Sequence, residues 1–245
     1  TLPREASGGF VFMVTEKGNV KRVTVADFAS TVNDGTPVLN VEDKDRLAWA
    51  FTTKGDGEVM LVTNAGQSIR FSEDDVRSRG LAAGGVGGIK LSKGQKVIHA
   101  CPVDPNGSLM TITTQGFAKQ TPINDYSSQG RNGGGIVTHK LTPKIGDLAA
   151  AMIIHAEDSQ RNVMVLVNKG NPTAVPVQEV PAQGRGVLGK QLVAIGVGTE
   201  VVAVTMVRMP GEDDGGSPPN EPEPTKAIDK AKALAAKGDA NAKTT

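Results

Sequence analysis

Apolar residues along this chain gather into short blocks, each followed by a glycine turn and a more polar block. Residues 10–14 (FVFMV), 59–62 (VMLV), 109–112 (LMTI) and 163–167 (VMVLV) are the apolar members. The polar members include Val20-Lys21-Arg22-Val23, Ser68-Ile69-Arg70-Phe71 and Ala118-Lys119-Gln120-Thr121. Short β-branched runs on either side of a Gly turn predict a hairpin, with an apolar inner strand and a wetter outer one. The hairpin is repeated. GFVFMVTEKG, GEVMLVTNAG, GSLMTITTQG and RNVMVLVNKG end at Gly18, Gly66, Gly116 and Gly170, spaced by 48, 50 and 54 residues.

Each repeat continues in the same way. An acidic corner follows the hairpin (Asp27-Phe28, Asp75-Val76, Asp125-Tyr126, Glu179-Val180), then a connector rich in glycine and arginine. A short third strand is predicted at 89–91, 136–141 and 192–195, and a longer fourth at 47–51, 97–103, 149–156 and 201–207. Four strands in about 50 residues is the size of a propeller blade, and a unit this small cannot bury its apolar face alone. The expected fold is therefore all-β, a propeller-like domain over residues 1–209 with four-stranded blades at about 9–51, 57–103, 107–156 and 161–207. Helix should be nearly absent.

Composition changes this picture only at the C-terminal end. Residues 1–209 carry 22 Lys/Arg against 19 Asp/Glu, a net charge of +3, whereas 211–224 carry five acids and no base. The latter stretch, GEDDGGSPPNEPEP, lacks the apolar surface needed to offset ordering, so 210–245 is expected to be a disordered tail. Its Ala/Lys-rich end could form a marginal helix over 226–237. Cys101 is the sole cysteine, which excludes an internal disulfide and fits a reducing, cytoplasmic setting; its apolar neighbours predict a buried strand thiol. No apolar run reaches the ~18 residues of a membrane span. The chain opens on Thr1 rather than Met and reads as part of a longer protein.

Candidate catalytic chemistry is sparse. The run from Gly184 to Gln191 matches G-x-x-x-x-G-K but ends in Gln and leads into a strand, so it reads as a blade connector. His99, His139 and His155 lie in apolar segments without metal-ligand spacing and are expected to be satisfied strand residues. No nucleophile–base pair can be assembled, and no cofactor is expected in this chain.

The basic residues carry more information, because they repeat with the blades. Lys21, Arg22, Arg70 and Lys119 recur in the hairpins, Arg77, Arg79, Arg131 and Arg185 in the connectors, and Lys90, Lys140 and Lys190 shortly after. Blades related by rotation would place these around one rim, a stepped positive track suited to a curved duplex backbone. With only 3% aromatic residues, stacking on single strands is disfavoured. A protein-interaction propeller is the reading from a different class.

Residues 57–91 (GEVMLVTNAGQSIRFSEDDVRSRGLAAGGVGGIKL) and 107–141 (GSLMTITTQGFAKQTPINDYSSQGRNGGGIVTHKL) resemble blades of the C-terminal domain of the DNA gyrase A subunit. The likeness runs over 9–207. It implies a β-pinwheel, a propeller-like disc whose blades exchange strands, with a basic rim that wraps double-stranded DNA for negative supercoiling. The implied partners are the rest of the gyrase A chain and the gyrase B chain, in a heterotetramer that uses ATP and Mg²⁺ elsewhere, in the bacterial cytoplasm at the nucleoid. Family members usually have six blades, and these four are most similar to the last four. The Q-R-R-G-G-[RK]-G box of the family's first blade is absent; Gln129-Gly130-Arg131-Asn132-Gly133-Gly134-Gly135 echoes it with one arginine. Tyr126, the only tyrosine, does not match the family's DNA-cleaving residue. The resemblance also implies a role in modulating wrapping for the acidic stretch 211–224. The corresponding domain of topoisomerase IV is the alternative within the same class.

Overall fold

The computed structural model describes residues 8–29 and 35–207; the tail expected from 210 onward lies outside the described residues. Four repeats follow one another. The first contains β1 (Phe10–Thr15), β2 (Asn19–Thr24) and β3 (Leu47–Thr53). The second contains β4 (Glu58–Thr63), β5 (Gln67–Ser72), β6 (Val86–Gly87) and β7 (Val97–Pro102). The third contains β8 (Ser108–Thr113), β9 (Phe117–Pro122), β10 (Ile136–Val137) and β11 (Leu148–Ile154). The fourth contains β12 (Asn162–Val167), β13 (Thr173–Pro176), β14 (Lys190–Gln191) and β15 (Val201–Val207). The one α-helix among the described residues is the single turn Val25–Ala29 at the first acidic corner. The other three corners are 3-10 turns, Glu73–Asp75, Ile123–Asp125 and Val177–Glu179.

The sheets do not coincide with the repeats. Their orders are β3-β1-β2-β6, β10-β5-β4-β7 and β11-β8-β9-β14, so each short strand pairs with the hairpin of the repeat before its own. The expected third strands at 89–91 and 192–195 do not form as such: the short strands lie just before them, at Val86–Gly87 and Lys190–Gln191, that at 136–141 is cut to Ile136–Val137, and all three pair outside their own repeat. The fourth sheet, β13-β12-β15, has three strands rather than the expected four, because no later repeat supplies one among the described residues. Pro172 stands where Val20, Ser68 and Ala118 face the donated strands. Having no N–H, it leaves that outer edge a poor template for further pairing.

The turn glycines are the sockets of this exchange. Gly18, Gly66 and Gly116 have φ of 80°, 76° and 77°, a conformation that side chains disfavour. Their carbonyls each accept two amides from the donated segment, those of Gly88 and Ile89, Thr138 and His139, and Leu192 and Val193. A Cβ at Gly66 would sit 2.5 Å from the His139 carbonyl oxygen, and one at Gly116 would sit 2.3 Å from that of Val193. Gly170 also has positive φ, but a Cβ there would have Val167 Cγ2 as its nearest neighbour at 3.9 Å, since no segment among the described residues is donated to it.

The apolar runs of β1, β4 and β8 are near-continuous because both faces are buried, as in any sheet packed on two sides. Their period-two alternation sends side chains into different cores. Phe12 and Val14 meet Val59, Leu61, Ile69 and Phe71 of the second repeat. Met60 and Val62 meet Leu109, Ile123 and Tyr126 of the third, while Met110 and Ile112 meet Val163 and Val165 of the fourth. Each fully buried residue of this size contributes about 2 kcal/mol, and each of these three cores draws on two neighbouring repeats. Cys101 lies buried in β7, as expected, and burial pushes its thiol up to about 12.

The histidines differ from expectation in two ways. His155 is not in a strand but N-caps the 3-10 turn Ala156–Gln160, with Nδ1 2.6 Å from Asp104 Oδ2. His139 also lies outside a strand, just after β10, but is satisfied, Nε2 donating to the Leu188 carbonyl at 2.8 Å while Nδ1 accepts from Thr111 Oγ1 at 2.9 Å. His99 Nε2 is buried without a protein partner. Burial lowers both His99 and His139 to about 4. An unfolded chain titrates these groups near 6.5, so below that value it takes up protons that the folded state does not. The histidine contribution to stability should therefore be level above about pH 6.5 and fall as pH drops toward 4, by on the order of 3 kcal/mol per histidine. Urea midpoints measured across this range check the expectation, and His139→Gln should flatten the decline.

Candidate nucleic-acid interface

Four of the eleven basic residues expected to face phosphates are turned into the fold instead. Lys21 and Lys119 are 1% and 0% exposed, and Arg22 is 7% exposed. The outer strand of the hairpin is wet in composition but dry in place, because the next repeat covers it. Lys21 Nζ donates to the carbonyls of Val38 (2.9 Å), Ala83 (2.8 Å) and Leu81. Lys119 Nζ donates to the carbonyls of Gly184 (2.6 Å) and Arg185 (2.7 Å), and to Thr121 Oγ1 at 3.3 Å. Both ammonium groups hold the connector of the following repeat. Burial, then the neighbouring Arg79, lowers the pKa of Lys21; burial, then Arg185, brings Lys119 down to about 8.

The next position along each outer strand grips the following corner. Arg22 Nη1 donates to Asp74 Oδ1 at 3.0 Å, and its guanidinium lies 4.3 Å over the Phe10 ring. Arg70 pairs with Glu58 and donates Nη1 to the carbonyls of Ile123 and Tyr126, both at 3.1 Å. Burial opposes ionisation of Glu58, but hydrogen bonds from Arg70 and Ser128 outweigh it and lower its pKa. Gln120, at the same place in the third repeat, donates Nε2 to the carbonyls of Val177 (2.8 Å) and Val180 (3.1 Å). Charge does not single out Gln120, yet its role is that of Arg70. Lys21, Arg22, Arg70 and Lys119 are thus latches between repeats, and their engaged donors are not free for phosphates.

The remaining seven lie at the rim. Arg77, Arg79, Lys90, Lys140 and Lys190 are exposed, and Arg131 and Arg185 are half-buried. Arg131 donates Nε to the Asp75 carbonyl (2.8 Å) and Nη1 to that of Gly87 (3.0 Å). Arg185 donates Nη1 to the Val137 carbonyl at 3.2 Å and lies 5.9 Å from the Tyr126 ring centroid. Lys90 and Lys140 occupy matching places directly after Ile89 and His139, where the fourth repeat has Ala194. Lys190 instead opens β14, matching Val86 and Ile136. Strands β3, β7, β11 and β15 neighbour one another in that order at the opposite edges of their sheets, so the basic connectors and lysines share the outer edge. This arrangement can bind anions along an arc. The run from Gly184 to Gly189 is a connector leading into β14, as its sequence predicts.

The family described as "DNA gyrase C-terminal domain, beta-propeller" matches residues 9–54, 57–104 and 107–155. The DNA gyrase A subunit of Pseudomonas aeruginosa is 32% identical over 221 residues, covering 90% of this chain and 24% of that protein. Its counterpart in Mycolicibacterium smegmatis is 30% identical over 197 residues (80% and 23%), and that of Staphylococcus aureus strain NCTC 8325 is 29% identical over 215 (86% and 24%). The chain spans about a quarter of the length of these relatives. Two solved structures share the fold. The C-terminal domain of DNA topoisomerase IV matches with a TM-score of 0.76 at 19% identity, over 85% of this chain and 64% of that one. The DNA gyrase A C-terminal domain matches with 0.71 at 21%, over 83% and 67%. The family match stops before the fourth repeat, which β12–β15 nonetheless form on the same plan.

Proposed function

Since the chain belongs to the DNA gyrase C-terminal domain family and has the β-pinwheel fold, we propose that it binds double-stranded DNA on its basic outer edge and wraps it. The observation that carries this reading is the convergence of seven basic residues from three connectors and three donated segments onto one edge. Wrapping would present a second duplex segment to a cleavage core elsewhere in the same polypeptide. The function would then be to give direction to strand passage, producing negative supercoils, with ATP and Mg²⁺ used outside this chain. The remainder of a gyrase A chain and a gyrase B chain are the protein partners this implies, in the bacterial cytoplasm at the nucleoid. Relatives at 29–32% identity are gyrase A proteins, which favours gyrase over topoisomerase IV.

The test is made on the full-length gyrase A chain reconstituted with gyrase B. Deleting residues 9–207 should abolish ATP-dependent negative supercoiling while relaxation persists. Supercoiling at the undeleted rate sinks the proposal. The chain alone should bind duplex with affinity that falls steeply up to ~200 mM salt, and a flat response would point to a protein partner instead.

A further inference from the structure

We propose that the rim contacts DNA unevenly, through a composite phosphate clamp of Arg77, Arg79 and Arg131 at the junction of the second and third repeats. This rests on the reading of the outer edge as a DNA surface and adds where that surface is anchored. The three arginines line one cleft of about 370 Å³ with Asp74, Asp75 and Val86. Two come from the connector of the second repeat and one from that of the third, so neither repeat holds the site alone.

The clamp is positioned by backbone that is already fixed. Arg79 N donates to the Arg22 carbonyl at 3.0 Å, and Val76, directly before Arg77, is buried and donates to the Glu73 carbonyl at 3.0 Å. Arg131 is tethered by Nε and Nη1 to two carbonyls, which leaves its Nη2 edge for a ligand. The charge is also arranged for an anion. Arg22 pairs with Asp74, and Glu73 is turned inward onto the amides of Gly55 and Gly57, so the three guanidinium groups stand against Asp75. Planar forks of this kind bind phosphate oxygens in pairs, with more geometric demand than lysine. Gly130 and Gly134 beside Arg131 have open space where a Cβ would be, so a phosphate chain can approach closely.

The next junction lacks this constellation. Ser127 and Gln129 take the places of Arg77 and Arg79, and the equivalent cleft holds Arg185 facing Asp125, with the exposed Val137 beside it. The same backbone therefore presents three arginines at one junction and one at the next.

The experiment uses the whole chain and a duplex of about 10 bp, roughly 34 Å long, which limits contact to part of the rim. Arg77→Gln/Arg79→Gln should weaken binding at least tenfold and lower the log–log salt slope by about 2. Lys140→Gln/Lys190→Gln, which removes the same charge, should cost at least threefold less. Installing the clamp at the other junction, Ser127→Arg/Gln129→Arg, should tighten binding. Equal losses in the two double variants overturn the clamp while leaving the DNA reading intact. Absence of salt-dependent binding by the parent chain overturns both. Displacement of duplex by inorganic phosphate at matched ionic strength would overturn the assignment to a phosphodiester and make free phosphate the ligand.

Discussion

Neutralising Arg77, Arg79, Lys90, Lys140 and Lys190 together as glutamines is expected to reduce duplex affinity by about 10⁴ near 0.1 M salt and the salt slope by about 4.5, with little change in stability. The figures follow from counterion release, in which each phosphate contact contributes about 0.9 to the slope. All five side chains are exposed and none serves as a latch, so surface rules predict less than about 0.5 kcal/mol each for the fold. Lys119→Met should behave in the opposite way. It removes the donor that the carbonyls of Gly184 and Arg185 share across the repeats, at a cost of about 2 kcal/mol, or roughly 4–8 °C in melting temperature for a domain of this size. Its DNA affinity should stay near that of the parent at temperatures where both are folded. Anisotropy titrations at several salt concentrations and a thermal scan separate the two classes. An unchanged slope in the fivefold variant would remove the rim from the function.

Gly116→Ala is expected to be the most damaging single substitution, costing about 3–5 kcal/mol, whereas Gly170→Ala should cost about 1 kcal/mol. Both glycines have positive φ, 77° at Gly116 and 104° at Gly170, so both replacements meet a backbone penalty. They differ in what lies beside them. At Gly116 a methyl group would overlap a backbone carbonyl, that of Val193. The donated segment would have to move, and the amide bonds of Leu192 and Val193 to the Gly116 carbonyl would weaken with it. At Gly170 no such segment is present among the described residues, and the methyl group would meet only Val167 at ordinary contact distance. Urea denaturation of the two variants should therefore differ severalfold in lost stability. Similar losses would mean that the turn conformation alone, and not strand exchange, gives these glycines their importance.

The latches also account for the fading of basic residues toward the C-terminal repeat. In sequence, Lys21-Arg22 and Lys119-Gln120 give way to Thr173-Ala174, which reads as a rim losing its charge. In the structure these places are turned inward in the earlier repeats, and among the described residues no following repeat stands beside Thr173-Ala174 for long side chains to grip. Length and donor count explain the choice of Lys, Arg or Gln there, and net charge does not. Gln120 serves where Arg70 serves because one amide reaches two corner carbonyls as a guanidinium does.

The repeat period, the hairpins, the turn glycines and the acidic corners are all legible in the chain, because each depends on local backbone geometry and on apolar patterning. So is the all-β class, and so is the family, since the motif V-x-x-x-G-x-x-I-R-F spans a single hairpin. What only the tertiary structure decided is which repeat each residue serves. A two-residue strand such as Ile136–Val137 has no periodicity to announce its partner, and it pairs with β5 because Gly66 leaves room for it there. A lysine on a polar strand looks the same in sequence whether it meets water or three carbonyl oxygens. Position in the assembled wheel, through desolvation and the supply of backbone acceptors, separates Lys21 and Lys119 from Lys90 and Lys140.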